Sequence, residues 1–292
     1  MSAINESICG HFDHAIDHTI ANVFRTDAMR SRRQAMNAAG LYRPAPRPNP
    51  ALRLVCFPFA GGGAATYRLW PWSLPPSIDM IALHPAGRAH RLREPPLRRV
   101  EAMVTAYLGD LEPLLDCPVA LFGHSIGAIV ACECARILQA RGIEPIHVFA
   151  SSRPPLRTDK SEQIHPLADQ EFIAAMNRRY QGIPAEILKH PDLLELLLPA
   201  LRADVEALET FRCKPDAQKL RCPMTVFGGS LDRAVSTADL ASLRDEVSGP
   251  FRTRLFPGDH FYIERQRENL LAEIHTALAT TLGEVPERVV PA

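Results

Sequence analysis

Short runs of apolar, β-prone residues alternate with segments of helical spacing from Leu52 onward, a rhythm that predicts a parallel sheet covered by helices on both faces. The runs are LRLVCF at 52–57, DMIALH at 79–84, PVALFG at 118–123, PIHVFAS at 145–151, PMTVFGG at 223–229 and FRTRLF at 251–256. Each is expected to be buried on both faces, as a central parallel strand must be. Between them, apolar positions recur at helical spacing over 100–115, 126–140, 238–247 and 263–282.

One stretch interrupts the rhythm. Residues 153–215 hold no convincing strand, whereas 170–180 and 191–212 read as helices, the second containing the strongly apolar LLELLLPALRADVEAL. About sixty residues of helix between two strands are expected to form a lid over the strands' C-terminal edge, with ordinary crossover helices as the alternative. Residues 1–50 differ again. Pro44, Pro46, Pro48 and Pro50 alternate and favour extended backbone, which predicts a Pro-rich linker closing an N-terminal extension. Before it, His11, His14 and His18 would line one side of a helix with Asp13 and Asp17 nearby. A solvated arm is preferred there over a metal site. The expected organisation is an extension over 1–50 and one α/β domain over 51–285, with the lid inserted at about 153–215.

Composition narrows the function classes. The 33 Lys and Arg balance 33 Asp and Glu, so no broad basic surface exists for nucleic acid, and no nucleic-acid partner is expected. The apolar segment 126–138 is broken by Glu133 and Arg136, well short of the roughly 18 uninterrupted residues a membrane span needs. The start, MSAINESICGHFDH, lacks the basic-then-apolar order of a secretory signal. Seven cysteines without a CxxC pair fit neither a disulfide framework nor a zinc site, and the cytoplasm is the expected compartment. Cys132 and Cys134, two apart on a helix, are expected on different faces as inert thiols.

The chemistry concentrates at Gly123-His124-Ser125-Ile126-Gly127, directly after the strand PVALF and directly before the helix IGAIVACECARIL. A nucleophile elbow needs a strand-to-helix turn too tight for side chains at the flanking positions, and it places the serine hydroxyl at the helix N-terminus. There the Ile126 N–H can help to hold an oxyanion. A serine at its free pKa is a poor nucleophile, so the elbow calls for a histidine base and an acid, in chain order Ser, Asp, His. His260, in FPGDHFYIE after the last strand, fits the base; Asp232, in FGGSLDRAVS just beyond the preceding strand, fits the acid. Asp259 adjoins His260, Asp204 lies in the expected lid, and His124 reads as a packing or backbone-bonding residue. A second oxyanion donor is expected in the loop Pro58-Phe59-Ala60-Gly61-Gly62-Gly63 after the first core strand. That loop lacks the GK[ST] ending or the GxGxxG spacing of a nucleotide site.

FPFAGGGAATYRLW, HPAGRAHRLREPP, LFGHSIGA, LLELLLPALRADVEALETF, FGGSLDRAVS and GDHFYIE, in this order over residues 52–283, resemble type II thioesterases. These are the stand-alone α/β-hydrolases that accompany polyketide synthases and nonribosomal peptide synthetases. The resemblance implies an α/β-hydrolase fold and hydrolysis of acyl or aminoacyl thioesters from the phosphopantetheine arm of carrier domains, usually to clear stalled or misprimed groups. It implies Ser125 as nucleophile, His260 as base, Asp232 as its partner, Ala60 and Ile126 as oxyanion N–H donors, and no metal or redox cofactor. Two positions depart from it: many relatives have His or Tyr where Phe59 stands, and PGR where this chain reads Ala86-Gly87-Arg88.

Carrier domains are usually acidic, so the cluster Arg88, Arg91, Arg93, Arg98 and Arg99, with Glu94 opposing it, is a candidate docking surface, Arg88, Arg91 and Arg93 above all. Trp70, Phe59, Met176 and the lid leucines stay open between pocket lining and core. The rival functions are an oxygen-ester hydrolase of the carboxylesterase or lipase type, which shares the triad chemistry, and a non-catalytic carrier-binding protein.

Overall fold

In the computed structural model, which describes residues 40–154, 163–180, 182–183, 185–214 and 217–282, the apolar runs pair into one sheet. Its strands are β1 (Leu41–Tyr42), β2 (Leu52–Phe57), β3 (Ile78–Leu83), β4 (Val119–His124), β5 (His147–Ser151), β6 (Met224–Gly229) and β7 (Phe251–Phe256). They lie in the order β1-β3-β2-β4-β5-β6-β7, and all neighbours run parallel except β1, which is antiparallel to β3. The helices are α1 (Val100–Leu111), α2 (Ile126–Ala140), α3 (Asp169–Tyr180), α4 (Ala185–Leu188), α5 (Pro191–Thr210), α6 (Thr237–Ser242), α7 (Tyr262–Arg265) and α8 (Arg267–Leu282).

Successive strand residues face opposite sides, and this sorts the core into two layers. Val55 and Phe57 pack with Met103, Val104 and Ile129 of α1 and α2, while Leu54 and Cys56 pack with Leu270, Ile274 and Leu278 of α8. Trp70, stacked edge-on against Tyr67 and Phe122, belongs to the second layer and is core rather than pocket. Cys132 and Cys134 are both buried, and burial pushes the Cys132 thiol up to about 11, which leaves it protonated and unreactive.

Two expectations are corrected. The run 251–256 is not a doubly buried strand: β7 closes the sheet edge, residues 252–255 are exposed, and Arg252 and Arg254 reach Glu273 of α8. Residues 40–50 are not a free linker. Leu41 is buried, β1 extends the other edge, and Arg43 pairs at 2.5 Å with the fully buried Asp79. The same carboxylate accepts the Arg47 N–H, so the proline-rich stretch is tied to the sheet. His11, His14 and His18 lie outside the described residues.

The insertion between β5 and β6 forms its own apolar cluster from α3, α4 and α5, with Phe172, Met176, Ile187, Leu198 and Val205 inside it. Met176 is thus lid core. Ala60 and Leu201 pack against this cluster, which seats it on the loop after β2. No helix among the described residues is long and apolar enough to cross a membrane.

Candidate active site

Ser125 sits between β4 and α2 with φ 57° and ψ −124°, a conformation that a residue with a side chain holds only when its surroundings impose it. The surroundings are the two glycines. A Cβ on Gly123 would lie 2.1 Å from the Gly127 carbonyl oxygen, and one on Gly127 would lie 2.3 Å from the Phe57 carbonyl oxygen. The turn therefore closes only with glycine at both positions, and the serine is left at the mouth of the α2 N-terminus. Its own N–H donates to the Ser151 carbonyl at 2.8 Å. The Ile126 N–H opens the helix and has no intrahelical acceptor.

Ser125, His260 and Asp232 come together from three strand ends. His260 Nε2 is 3.1 Å from Ser125 Oγ, and His260 Nδ1 is 2.8 Å from Asp232 Oδ2. Burial pushes the Asp232 carboxyl up, but the hydrogen bond and charge of His260, the Ala234 N–H and the Ser152 hydroxyl outweigh it and hold the group below the usual carboxylate range. An ionised Asp232 accepts the proton on Nδ1, which leaves the Nε2 lone pair to accept from the Ser125 hydroxyl. The rivals for the acid are spoken for. Asp259 accepts the Phe261 N–H at 2.9 Å, and Asp204 is directed at the loop after β2.

Several contacts around these residues were not readable from the sequence. Ser152 donates to Asp232 Oδ2 at 2.8 Å. It follows β5, whose tip is adjacent to β6 only in space, and no motif surrounds it. Beneath the triad, His124 Nδ1 and the Tyr262 hydroxyl both meet the Ser151 hydroxyl, at 2.7 and 2.6 Å. Burial first, then the nearby His260, hold the His124 pKa far below normal, so this second imidazole stays neutral. Tyr180 and Phe261 flank the His260 ring at 5.2 Å between centroids, and Phe59 meets Phe261 at 5.1 Å, so Phe59 lies at the site while it also packs against the edge of the second core layer.

The loop after β2 turns at Ala60 and Gly61, with the Gly62 N–H donating to the Phe59 carbonyl at 2.9 Å. The Ala60 N–H makes no hydrogen bond among the described residues. The arginine cluster divides. Arg88, expected at a docking surface, is 5% exposed and spends its guanidinium on Asp204 and the Gly62 carbonyl, so it presents nothing to a partner. Arg91 donates to both Glu94 oxygens and to the His84 carbonyl. Arg98 pairs with Glu206 at 2.6 Å, while Arg93 and Arg99 are exposed.

A strained serine between a parallel strand and a helix, joined to a histidine and a buried carboxylate from later strand ends, defines a serine hydrolase of the α/β-hydrolase fold. Residues 52–278 match the thioesterase domain family, and the chain belongs to it. It is 39% identical over 249 residues to thioesterase PikA5 of Streptomyces venezuelae, covering 84% of this chain and 87% of that protein. It is 33% identical over 222 residues to the gramicidin S biosynthesis protein GrsT of Aneurinibacillus migulanus, covering 75% and 86%. Among solved structures, the type II thioesterase BorB from the borrelidin biosynthetic cluster superposes with a TM-score of 0.75 at 32% identity, over 83% of this chain and 98% of that one. YbtT, a type II thioesterase from the yersiniabactin NRPS/PKS pathway, gives 0.73 at 29%, over 83% and 99%.

Proposed function

We propose that this thioesterase releases acyl or aminoacyl groups from the phosphopantetheine arm of carrier domains, in an editing or release role beside a polyketide or nonribosomal peptide assembly line in the cytoplasm. The observation that carries the reading is the continuous hydrogen-bonded chain Ser125–His260–Asp232 under the unpaired N–H of Ile126, in a chain related to assembly-line thioesterases.

Ser125 Oγ attacks the thioester carbonyl while His260 Nε2 takes its proton, and the oxygen that becomes negative is held by the Ala60 and Ile126 N–H groups. The C–S bond then breaks. The proton on His260 passes to the leaving sulfur, and the acyl group remains as an ester of Ser125. A water that gives its proton to His260 attacks this ester, the C–O bond breaks, and Ser125 regains its proton as the acid departs. Asp232 keeps Nδ1 protonated throughout and stabilises the imidazolium.

A thiol, with a pKa near 8.5, leaves far more readily than an alkoxide, so the enzyme should turn over an acyl-pantetheine thioester faster than the matched oxygen ester. The comparison is of kcat/KM for the two substrates with one acyl chain. Equal or faster cleavage of the oxygen ester would replace this reading with a general carboxylesterase.

Arg93 and Arg99, rather than the buried Arg88 or the internally paired Arg91, offer the charge that an acidic carrier would meet. Reversing both to glutamate should raise KM about tenfold for carrier-borne acyl groups and leave KM for a small acyl thioester unchanged. An equal change for both substrates would remove docking from this surface.

A further inference from the structure

Two motifs that the triad does not use meet across 116 positions of sequence. Arg88 ends the Ala86-Gly87-Arg88 segment after β3, and Asp204 lies in the LRAD turn of lid helix α5. Both side chains are buried. The Arg88 guanidinium holds the Asp204 carboxylate by two contacts, Nη2 to Oδ1 at 2.9 Å and Nη1 to Oδ2 at 2.8 Å. The same pair grips the loop after β2 from both sides of one peptide unit. The Gly61 N–H donates to Asp204 Oδ2 at 2.8 Å, and Arg88 Nη1 donates to the Gly62 carbonyl at 2.6 Å.

We propose that Arg88 and Asp204 are positioning residues that clamp the turn at Phe59, Ala60, Gly61 and Gly62 to the lid, so that the oxyanion hole is in order only while α5 is seated. The inference rests on the reading of Ser125 as nucleophile and of the Ala60 N–H as an oxyanion donor.

Two observations and one energetic argument carry it. The turn is held by charge-assisted bonds at Gly61 and Gly62, immediately after the N–H that must point at the oxyanion, and such bonds are short and directional. A cavity of about 10 Å³, room for a single water, lies beside Phe59, Arg88, Ile126 and Asp204, and the packing that the turn does have at Gly61 comes from Leu201 of the same lid helix. Stability alone does not call for the arrangement, because a buried ion pair is often matched or exceeded by apolar residues of similar volume. Oxyanion stabilisation depends on donors already in position, and here their position depends on a lid residue 143 positions away from the loop. Lifting α5 removes the acceptor of the Gly61 N–H and frees the arginine that holds Gly62.

The test uses the full chain carrying Arg88→Met with Asp204→Leu, which removes both charges at similar volume. The double variant should melt near wild type, yet kcat for an acyl N-acetylcysteamine thioester should fall about 30- to 100-fold, approaching the loss of one oxyanion donor. KM and affinity for an unreactive thioether analogue without a carbonyl should change by less than about threefold, a loss confined to transition-state stabilisation. Affinity for a trifluoromethyl ketone, whose adduct with Ser125 is itself an oxyanion, should fall in step with kcat. Amide exchange of residues 59–63 should accelerate while that of α5 does not. Arg88→Lys, which keeps the charge pair but loses the fork to Gly62, should lose an intermediate amount of kcat, and it decides in the same way if the double variant does not fold. Wild-type kcat in a folded variant, unchanged exchange of 59–63, or equal losses for kcat and thioether affinity would overturn the clamp. If the wild-type enzyme forms no ketone adduct at Ser125, the reading of the site fails and the clamp falls with it; if the adduct forms but the variants match wild type, the clamp alone fails.

Discussion

Ser125→Ala is expected to lower kcat for an acyl-pantetheine thioester by about 10⁵- to 10⁶-fold while the protein stays folded. Among the described residues the hydroxyl makes one hydrogen bond, to His260 Nε2, so its loss costs about 1 kcal/mol and shifts Tm by roughly 2–4 °C in a domain of this size. Alanine also has a Cβ, so the φ of 57° is neither relieved nor worsened. On the proposed mechanism, what disappears is the atom that attacks. His260 and the two N–H groups remain, and a water taking the place of Oγ sustains only the residual rate that binding and oxyanion stabilisation support. Labelling by a fluorophosphonate probe should vanish together with turnover. A folded Ser125→Ala protein that keeps a substantial fraction of its rate would remove the covalent mechanism, and a wild-type protein that neither turns over nor labels would revive the carrier-binding scaffold.

The elbow was legible because it is local. Strand, glycine, serine, glycine and helix occupy about twenty consecutive residues, and the steric demand that selects the glycines acts between neighbours in sequence. Six of the seven strands were legible for the same reason, through apolar runs bounded within two residues of the observed elements, while the two-residue β1 was not. His260 and Asp232 followed from chain order and from the strand ends they occupy. What sequence could not convey was how distant side chains pair off. Arg88 reads as one more cation in a basic stretch, and only the fold shows that its charge is taken by Asp204 on the lid. Likewise FRTRLF has the alternation of a strand but not the knowledge that nothing lies beyond it, so its arginines look buried until β7 is found at the edge. The four alternate prolines predict an extended linker, yet the stretch bends at 44–45 and 48–49, and Arg43 and Arg47 fasten it to Asp79, a partner more than thirty positions away.

The sharpest check on the acid is Asp232→Asn, for which kcat should fall about 10⁴-fold with little change in KM. The reason is geometric. Asp232 Oδ1 accepts the N–H groups of Ala234 and Val235 at 2.9 and 3.2 Å, so an asparagine will place its carbonyl oxygen there. Its amide nitrogen must then occupy the position of Oδ2, facing His260 Nδ1 and the Ser152 hydroxyl. An N–H₂ directed at Nδ1 drives the imidazole proton to Nε2, and Nε2 then donates to Ser125 Oγ instead of accepting from it. Every atom is nearly in place, the tautomer is wrong, and the carboxylate that would stabilise the imidazolium is gone. Because serine, histidine and acid act as a unit, the double variant Ser125→Ala with Asp232→Asn should be no slower than Ser125→Ala alone. Asp259→Asn, whose carboxylate serves only the Phe261 N–H, should leave kcat within a few-fold of wild type. If Asp232→Asn turned over at near wild-type rate while Asp259→Asn did not, the acid would be reassigned to Asp259.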